Sequence, residues 1–230
     1  MKNRDFIITS LQPWDIEIGS TIKNTALEIS KNNRVLYINT PMDYSTRLRG
    51  NKNKAWTRRM DVIKKQASPI RQINEHMWIA DCPFCVLPVG GLPTTCLCDW
   101  INRINNRKIA DYIRQITAQL NFNNYIHLID TDIYRSQYLK EYLTPSLSIY
   151  YCRDFVIGES YWKKNGVRLE PLLAAKSDIV LANSTHFAER FRQYNRHTFS
   201  IETGVNLALY DGRKKWLIPE DIKPKIGRAS

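Results

Sequence analysis

The sequence predicts an α/β protein with a doubly wound, mostly parallel, Rossmann-like sheet. Short apolar runs such as 179–182 recur along the chain, and they suit strands that are buried on both faces. Segments with apolar residues at helical spacing separate these runs. Strands that alternate with helices in this way are typical of a parallel sheet with helices on both faces.

The N-terminal segment predicts the first strand–helix–strand unit. Residues 6–9 predict a buried strand, Ser20 begins a helix over about 20–31, and residues 34–39 predict a second strand. The connecting turn has no G-x-G-x-x-G pattern, and the chain has no Walker loop. A standard dinucleotide or P-loop site is therefore not expected.

The rest of the chain continues this alternation. Apolar spacing predicts a long helix over 104–120, whereas the Pro-, Gly- and Cys-rich stretch 81–97 predicts irregular structure. Short helices are expected near 136–142 and after Asn183. Further strands are predicted at 76–80, 125–129, 147–152, 179–182 and 198–202. We expect about six or seven strands whose carboxyl ends point to one side.

The composition is that of a globular protein of 230 residues, with 43% hydrophobic residues. No apolar run approaches the roughly 20 residues of a membrane span. The N terminus turns polar too early for a signal peptide. The chain is expected in the cytoplasm, either free or peripheral on the inner face of the plasma membrane.

Positive charge is concentrated in one segment. The net charge is +12, and residues 47–71 hold nine Lys or Arg against one acid, Asp61. Such a surface attracts acidic lipid, nucleic acid or a phosphate-bearing substrate. Trp56 and Ile63 favour a membrane surface, and a solvated loop is the alternative. The candidate basic surface consists of Arg58, Arg59, Lys64 and Lys65.

Four of the five cysteines lie close together in sequence: Cys82, Cys85, Cys96 and Cys98. A Cys-x-x-Cys redox site needs a helix at its first cysteine, and the stretch 86–93 with its prolines and glycines cannot form one. The spacing is not standard for zinc, so reduced, partly buried cysteines are expected, with zinc as the alternative. We expect no metal and no cofactor.

Charged residues gather where two predicted strands end. Asp130 and Asp132 follow one strand, and Arg153 and Asp154 follow the next. Because ligands bind outside the carboxyl ends of such strands, these four residues are candidate catalytic groups in one crevice. The alternative is that Asp130 or Asp132 only caps the next helix.

The histidines give one weaker candidate. His186 lies in the first turn of the helix after Asn183, where it could act as a general base if a carboxylate oriented it. His76 and His127 fall within predicted strands, and His197 falls at a turn. We therefore add His186 alone to the candidate catalytic residues.

Several motifs resemble one family over roughly residues 6–210. In chain order they are the segment 10–41 with Gln12-Pro-Trp-Asp15, Tyr150-Tyr-Cys-Arg-Asp154, Tyr161-Trp-Lys-Lys-Asn-Gly166, the segments 169–178 and 178–184, and Gly204-Val205-Asn206. Together they resemble the N-terminal domain of a GT-B glycosyltransferase of the family 4 type, as in bacterial surface-polysaccharide pathways. Asn165 stands where this group often has His. A role that needs an imidazole there is in doubt.

The resemblance implies one half of a two-domain GT-B enzyme with hexosyltransferase activity. Such an enzyme moves a sugar from a nucleotide-sugar to a glycan or lipid-linked acceptor, and the donor is a substrate rather than a cofactor. Residues 1–210 would form the acceptor-side Rossmann-like domain, and 211–230 a linker toward a missing C-terminal domain. Since family 4 donor-binding groups lie largely in that second domain, the chain is expected to be inactive alone.

The same resemblance implies further residues around the cleft between the two domains. The candidates for acceptor or donor binding are Trp14, Glu17, Gly19, Ser20, Ser184, Thr203 and Gly204. The alternative from another class is a non-catalytic, basic Rossmann-like module that binds acidic lipid or nucleic acid. That alternative explains the charge but not the strand-end motifs.

Overall fold

The computed structural model describes residues 1–16, 19–51, 53–202 and 204, which form one eight-stranded sheet flanked by helices. The strands are β1 (Asp5–Ser10), β2 (Arg34–Asn39), β3 (Ile70–Asn74), β4 (Met77–Asp81), β5 (Ile126–Asp130), β6 (Leu147–Cys152), β7 (Ile179–Ala182) and β8 (Thr198–Ser200). The helices are α1 (Thr21–Ser30), α2 (Tyr44–Arg49), α3 (Lys54–Ile63), α4 (Thr95–Gln119), α5 (Leu139–Leu143), α6 (Ser160–Lys176) and α7 (Thr185–Arg192), and Val156–Gly158 forms a 3₁₀ turn.

The strand order is β3-β4-β2-β1-β5-β6-β7-β8. The seven strands that the sequence predicts are all present and run parallel to one another. Only β3 is antiparallel, paired with β4 at one edge of the sheet. The predicted α/β class with a doubly wound, mostly parallel sheet is confirmed. Its parallel strands bring their carboxyl ends to one edge.

The central strands are apolar on both faces, as a sheet covered on both sides requires. Along β1, Ile7 packs in one cluster with Ile109 and Ile113 of α4. Its neighbours Phe6 and Ile8 belong to the opposite cluster, together with residues of α1. Strand alternation therefore divides the core between the two faces of the sheet.

Helix α4 begins nine residues before the predicted start at residue 104, within the stretch that was expected to be irregular. Thr94 caps it by accepting a hydrogen bond from the Leu97 backbone N–H. Between residues 95 and 103 its buried face includes an asparagine, so apolar spacing does not mark this part as a helix. Asn102 is buried, and its backbone and side-chain oxygens accept hydrogen bonds from the Asn106 side chain (2.8 and 3.1 Å).

The basic segment 47–71 is more ordered than the loop considered as the alternative. It contains the end of α2, all of α3, and the first residues of the antiparallel strand β3, which was not predicted. Asp43 and Asn53 cap the two helices through hydrogen bonds to Thr46 N and Trp56 N. In the described part of the chain, no helix has the length and apolar character needed to cross a membrane.

Candidate functional site

Polar residues stand at the carboxyl ends of five neighbouring parallel strands. Ser10 ends β1, Asn39 ends β2, Asp81 ends β4, Asp130 ends β5, and Arg153 follows β6. The first four are buried. We call this edge of the sheet the carboxyl rim, and it is where a doubly wound sheet binds its ligands.

Asp130 and Arg153 form the ionic centre of the carboxyl rim. The fully buried Asp130 carboxylate accepts hydrogen bonds from Ser10 Oγ (2.7 Å) and Arg153 Nε (3.0 Å). Burial raises the pKa of Asp130, and Arg153 counteracts that rise. Burial would lower the pKa of Arg153, but the hydrogen bond to Asp130 and the charges of Asp130 and Asp154 together raise it above its usual value. The guanidinium stays charged, and it also pairs with exposed Asp154 at 3.0 Å.

Gln12 connects the β1–α1 loop to this ionic centre, although it was not among the candidate site residues. Its side-chain oxygen accepts hydrogen bonds from Arg153 Nη2 (3.2 Å) and from Ser20 Oγ. Its backbone carbonyl accepts a hydrogen bond from the Tyr37 hydroxyl (2.7 Å). The loop is thus held against β2 and Arg153 at once.

The backbone that follows Asp130 adopts an unusual conformation. Thr131 is buried and has φ of 60°, in the left-handed region that costs a non-glycine residue roughly 1–2 kcal/mol. Hydrogen bonds hold it there, since its N–H donates to the Tyr151 carbonyl (3.1 Å) and its Oγ1 accepts from Arg153 N (3.3 Å). Strain of this kind is often found at functional sites.

Asp132 makes different contacts from those of Asp130. It is fully buried, accepts a hydrogen bond from the Arg135 backbone N–H (3.1 Å), and lies 3.7 Å from the Arg135 guanidinium. These are the contacts of a residue that caps a turn. The structure therefore joins Asp130, Arg153 and Asp154 in one network and places Asp132 with Arg135.

A second polar cluster lies beside the first, at the ends of β2 and β4. Asn39 Nδ2 donates to Asp81 Oδ1 (2.7 Å), and Arg58 Nε donates to Asp81 Oδ2 (3.0 Å). The Asn39 side chain also accepts a hydrogen bond from Trp14 N (2.7 Å). Asn39 and Asp81 were not proposed from the sequence. The signal that could have identified them is a polar residue directly after a buried apolar strand.

The fold is similar to that of a sucrose-phosphate synthase. The solved structure of that protein from Thermosynechococcus elongatus superposes with a TM-score of 0.51 at 11% sequence identity. The similarity covers 91% of this chain and 96% of that one. No family model and no curated protein matches the sequence. At this identity the comparison shows a shared fold.

The predicted cleft residues occupy several places. Ser20 is buried against Gln12, and Trp14 packs edge-on against Tyr37 with a ring separation of 5.3 Å. Gly19 and Gly204 are exposed. Ser184 caps α7 by accepting from Phe187 N (3.3 Å). Glu17, Thr203, the turn residues 205–206 and the segment 211–230 lie outside the described residues.

His186 is exposed in the first turn of α7, 6.0 Å from the Phe187 ring between centroids. Within the described ranges no carboxylate forms an ion pair with it. A general base at this position needs a carboxylate to orient its imidazole, and His186 has none paired with it in the described ranges. Its neighbour Asn183 has a clearer connection to the rim, because its Nδ2 donates to the Arg153 carbonyl at 2.5 Å.

The four residues of the predicted basic surface do not form one exposed patch. Lys64 and Lys65 are exposed at the end of α3. Arg58 and Arg59 are partly buried, and Arg58 is paired with buried Asp81. The reason is the helical geometry of α3, which turns Arg58 and Arg59 toward the ends of β2 and β4 and leaves the later lysines in solvent.

The cysteines and Asn165 have structural contacts. Cys82, Cys85 and Cys98 are buried free thiols, and Cys96 is exposed. In the ranges that the structure describes, no three His, Cys, Asp or Glu side chains come together as a metal site, so the zinc alternative gains no support. Asn165 is buried and donates to the carbonyls of Val89 (3.4 Å) and Gly90 (3.3 Å).

One cavity lies away from the carboxyl rim. Its volume is about 810 Å³, and it opens beside the amino ends of β6 and β7. Two of its charged groups are already paired, since Lys140 Nζ lies 2.6 Å from Asp178 Oδ1 and also donates to the Lys176 carbonyl. A smaller cavity of about 370 Å³ lies at the other end of the sheet, between α2 and α3.

Proposed function

We propose that this chain is the acceptor-side domain of a GT-B glycosyltransferase that transfers a sugar from a nucleotide-sugar to a glycan or lipid-linked acceptor. The observation that carries the proposal is the Asp130–Arg153–Gln12 network at the carboxyl rim, in a fold similar to that of a sucrose-phosphate synthase. Sucrose-phosphate synthases are themselves glycosyltransferases. The motifs that resemble family 4 of bacterial surface-polysaccharide pathways support the same conclusion.

The chemistry of the network suits this reaction. An acceptor hydroxyl must lose a proton as it attacks the sugar, and an exposed carboxylate at the cleft can accept that proton. Asp154 is such a group, because it is exposed and bonded to Arg153. Buried Asp130 would act as a positioning residue that holds Arg153, and Arg153 would orient Asp154. His186 and Asp132 are weaker candidates, because no carboxylate pairs with His186 in the described ranges and Asp132 caps the turn at Arg135.

A GT-B enzyme has two Rossmann-like sheets, and the described residues of this chain form one. We therefore propose that donor binding needs a second domain, and that transfer requires both. Binding of the nucleotide-sugar by this chain alone is expected to be weak.

The test is sugar transfer by the full chain fused to a family 4 donor-binding domain. Radiolabelled uridine, guanosine and adenosine diphosphate sugars are supplied with a membrane lipid extract, and label in the lipid or glycan fraction is counted. We expect transfer in the fusion, and a loss of about 100-fold or more in Asp154→Asn, which removes the proposed base. Arg153→Gln should lose activity as well.

Asp99→Asn is the matched control, because Asp99 is a partly exposed carboxylate paired with Arg168 at 2.6 Å on α4 and α6. It should leave transfer unchanged. Equal activity in Asp154→Asn and Asp99→Asn would contradict the proposed base. Salt-sensitive nucleic-acid binding by the chain, with no transfer by the fusion, would instead favour the non-catalytic basic module.

A further inference from the structure

Two arginines and the first turn of α3 line the cavity between α2 and α3. It has a volume of about 370 Å³, and its lining includes Thr46, Arg49, Trp56 and Arg59. Pro13 of the β1–α1 loop and Met42, which follows β2, also line it, so the cavity adjoins the carboxyl rim. A volume of this size lies in the range of small-molecule sites.

Arg59 is the exceptional cation of this region. Arg58, Arg71 and Arg153 are each paired with a carboxylate, at 3.0, 2.5 and 3.0 Å respectively. Arg59 has no such partner among the described residues, and its Nε is buried without a hydrogen-bond acceptor. Arg59 is partly exposed, and a bound anion would supply the contacting counter-charge that Arg59 lacks among the described residues.

A second guanidinium makes the positive potential stronger. Burial lowers the pKa of Arg59 and the nearby positive charge of Arg135 lowers it further, while the charges of Asp81 and Asp15 oppose this lowering. The Arg135 Nε is also buried without an acceptor, and its one ion pair, with Asp132, is long at 3.7 Å. An anion near Arg59 would relieve the repulsion between these two like charges.

The remaining donors define what kind of anion fits. Trp56 lies one turn before Arg59 on α3 and lines the cavity with its ring, since its indole Nε1 is buried away from solvent. The first turn of α3 lines the cavity, and the amino end of a helix attracts negative charge. Arg49 is exposed, and its guanidinium contacts only the Thr46 hydroxyl, at 3.5 Å, within the described chain.

We propose that this cavity binds the phosphate group of the acceptor. Several donors on different sides of one site suit the oxygens of a phosphate, and arginine forms strong charge-assisted hydrogen bonds with it. This inference rests on the proposed function only in calling the ligand an acceptor. The chemistry recognised is a phosphate ester, either on a soluble sugar phosphate or in the headgroup of a phosphorylated lipid.

Calorimetric titration of the full chain with inorganic phosphate tests the site without any sugar transfer. We expect saturable binding that weakens at least about tenfold in Arg59→Gln, because a charge-assisted hydrogen bond is lost. Arg49→Gln removes a second, exposed guanidinium that lines the cavity, and it should weaken binding by a smaller factor. Arg192→Gln is the matched control: it removes one exposed guanidinium from the end of α7 and should leave the affinity unchanged.

Two outcomes would overturn the site. One is the absence of saturable phosphate binding at low salt. The other is an equal loss in Arg59→Gln and Arg192→Gln, which would indicate general attraction to positive charge. Thermal unfolding of each variant separates loss of the site from loss of the fold, and Arg49→Gln gives a second measurement if Arg59→Gln is unstable.

Vesicles distinguish the two sources of phosphate. Phosphatidic acid vesicles that bind the chain through Arg59, and that inorganic phosphate displaces, would identify a lipid headgroup. Phosphate binding with no Arg59-dependent vesicle binding would identify a soluble phosphorylated acceptor. If phosphate binds as expected and the fusion transfers no sugar, only the proposed glycosyltransferase function is contradicted.

Discussion

At the scale of single residues, the interior of this protein holds more polar groups than its apolar strands suggest. His127 lies in the middle of β5, is fully buried, and has its Nε2 3.0 Å from Thr9 Oγ1. Its Nδ1 has no partner among the described residues. Burial lowers the pKa of His127 to about 3. The folded protein therefore keeps this imidazole neutral at pH values where an unfolded chain protonates it.

His127 makes stability depend on pH in one direction. In the unfolded chain its pKa is about 6.5, so stability is full above that pH and falls as the pH drops toward about 3. Between pH 7 and pH 5 we expect this group to cost about 2 kcal/mol in the free energy of unfolding. Urea unfolding at both pH values should show that loss in the wild type and not in His127→Gln. Equal losses in the two proteins would contradict the assignment.

At the scale of elements, close packing positions the segment before α4. Gly90 lies so near α6 that a Cβ on it would meet the Tyr161 ring at 2.6 Å. Tyr161 cannot move freely, because its ring packs edge-on against Tyr134 (5.9 Å) and Trp162 (5.2 Å). The buried Asn165 side chain holds the same segment by donating hydrogen bonds to the carbonyls of Val89 and Gly90.

Gly90→Ala should destabilise the protein by about 1–3 kcal/mol, because overpacking against a held ring forces side chains or backbone to shift. Gly91→Ala is the control: a Cβ there meets nothing within 4 Å. Thermal or urea unfolding of both variants measures the difference. Equal stability of the two would mean that the Tyr161 ring moves aside at little cost.

At the scale of the whole molecule, stability should decrease from the centre of the sheet to its edges. In the order of strands, β1 and β5 each have partners on both sides, whereas β3 and β8 are the outermost described strands. Strand β3 is also largely exposed, and β8 has only three residues. Elements of this kind open at low free energy.

Native-state amide hydrogen exchange tests this gradient. We expect amides of Ile7, Ile8 and Leu128 to exchange only with global unfolding, and the paired amides of β3 and β8 to exchange through local opening. The free energies from exchange should be largest in β1 and β5 and smaller at both edges. Uniform protection across all eight described strands would show that the sheet opens as one unit.

The sequence by itself determined the parallel sheet. Runs such as 179–182 are apolar on both faces and too short for helices, so they predicted strands covered on both sides, and the structure confirms all seven. It also placed Asp130 and Arg153 at neighbouring strand ends, since strand ends can be read from where an apolar run stops. The start of α4 was missed because Asn102, a polar residue on its buried face, interrupts the apolar period before residue 104.

Only the tertiary structure decided how the charges pair. Asp130 and Asp132 both follow the strand predicted at 125–129, yet Asp130 binds Arg153 and Asp132 caps the turn at Arg135. Arg58 and Arg59 are adjacent, yet Arg58 is paired with Asp81 and Arg59 lines the cavity between α2 and α3. Apolar periodicity is a local property that a single segment carries. These polar contacts depend on which distant segments meet, 23 residues apart for Arg58 and Asp81 and 141 for Gln12 and Arg153, and no local pattern encodes that.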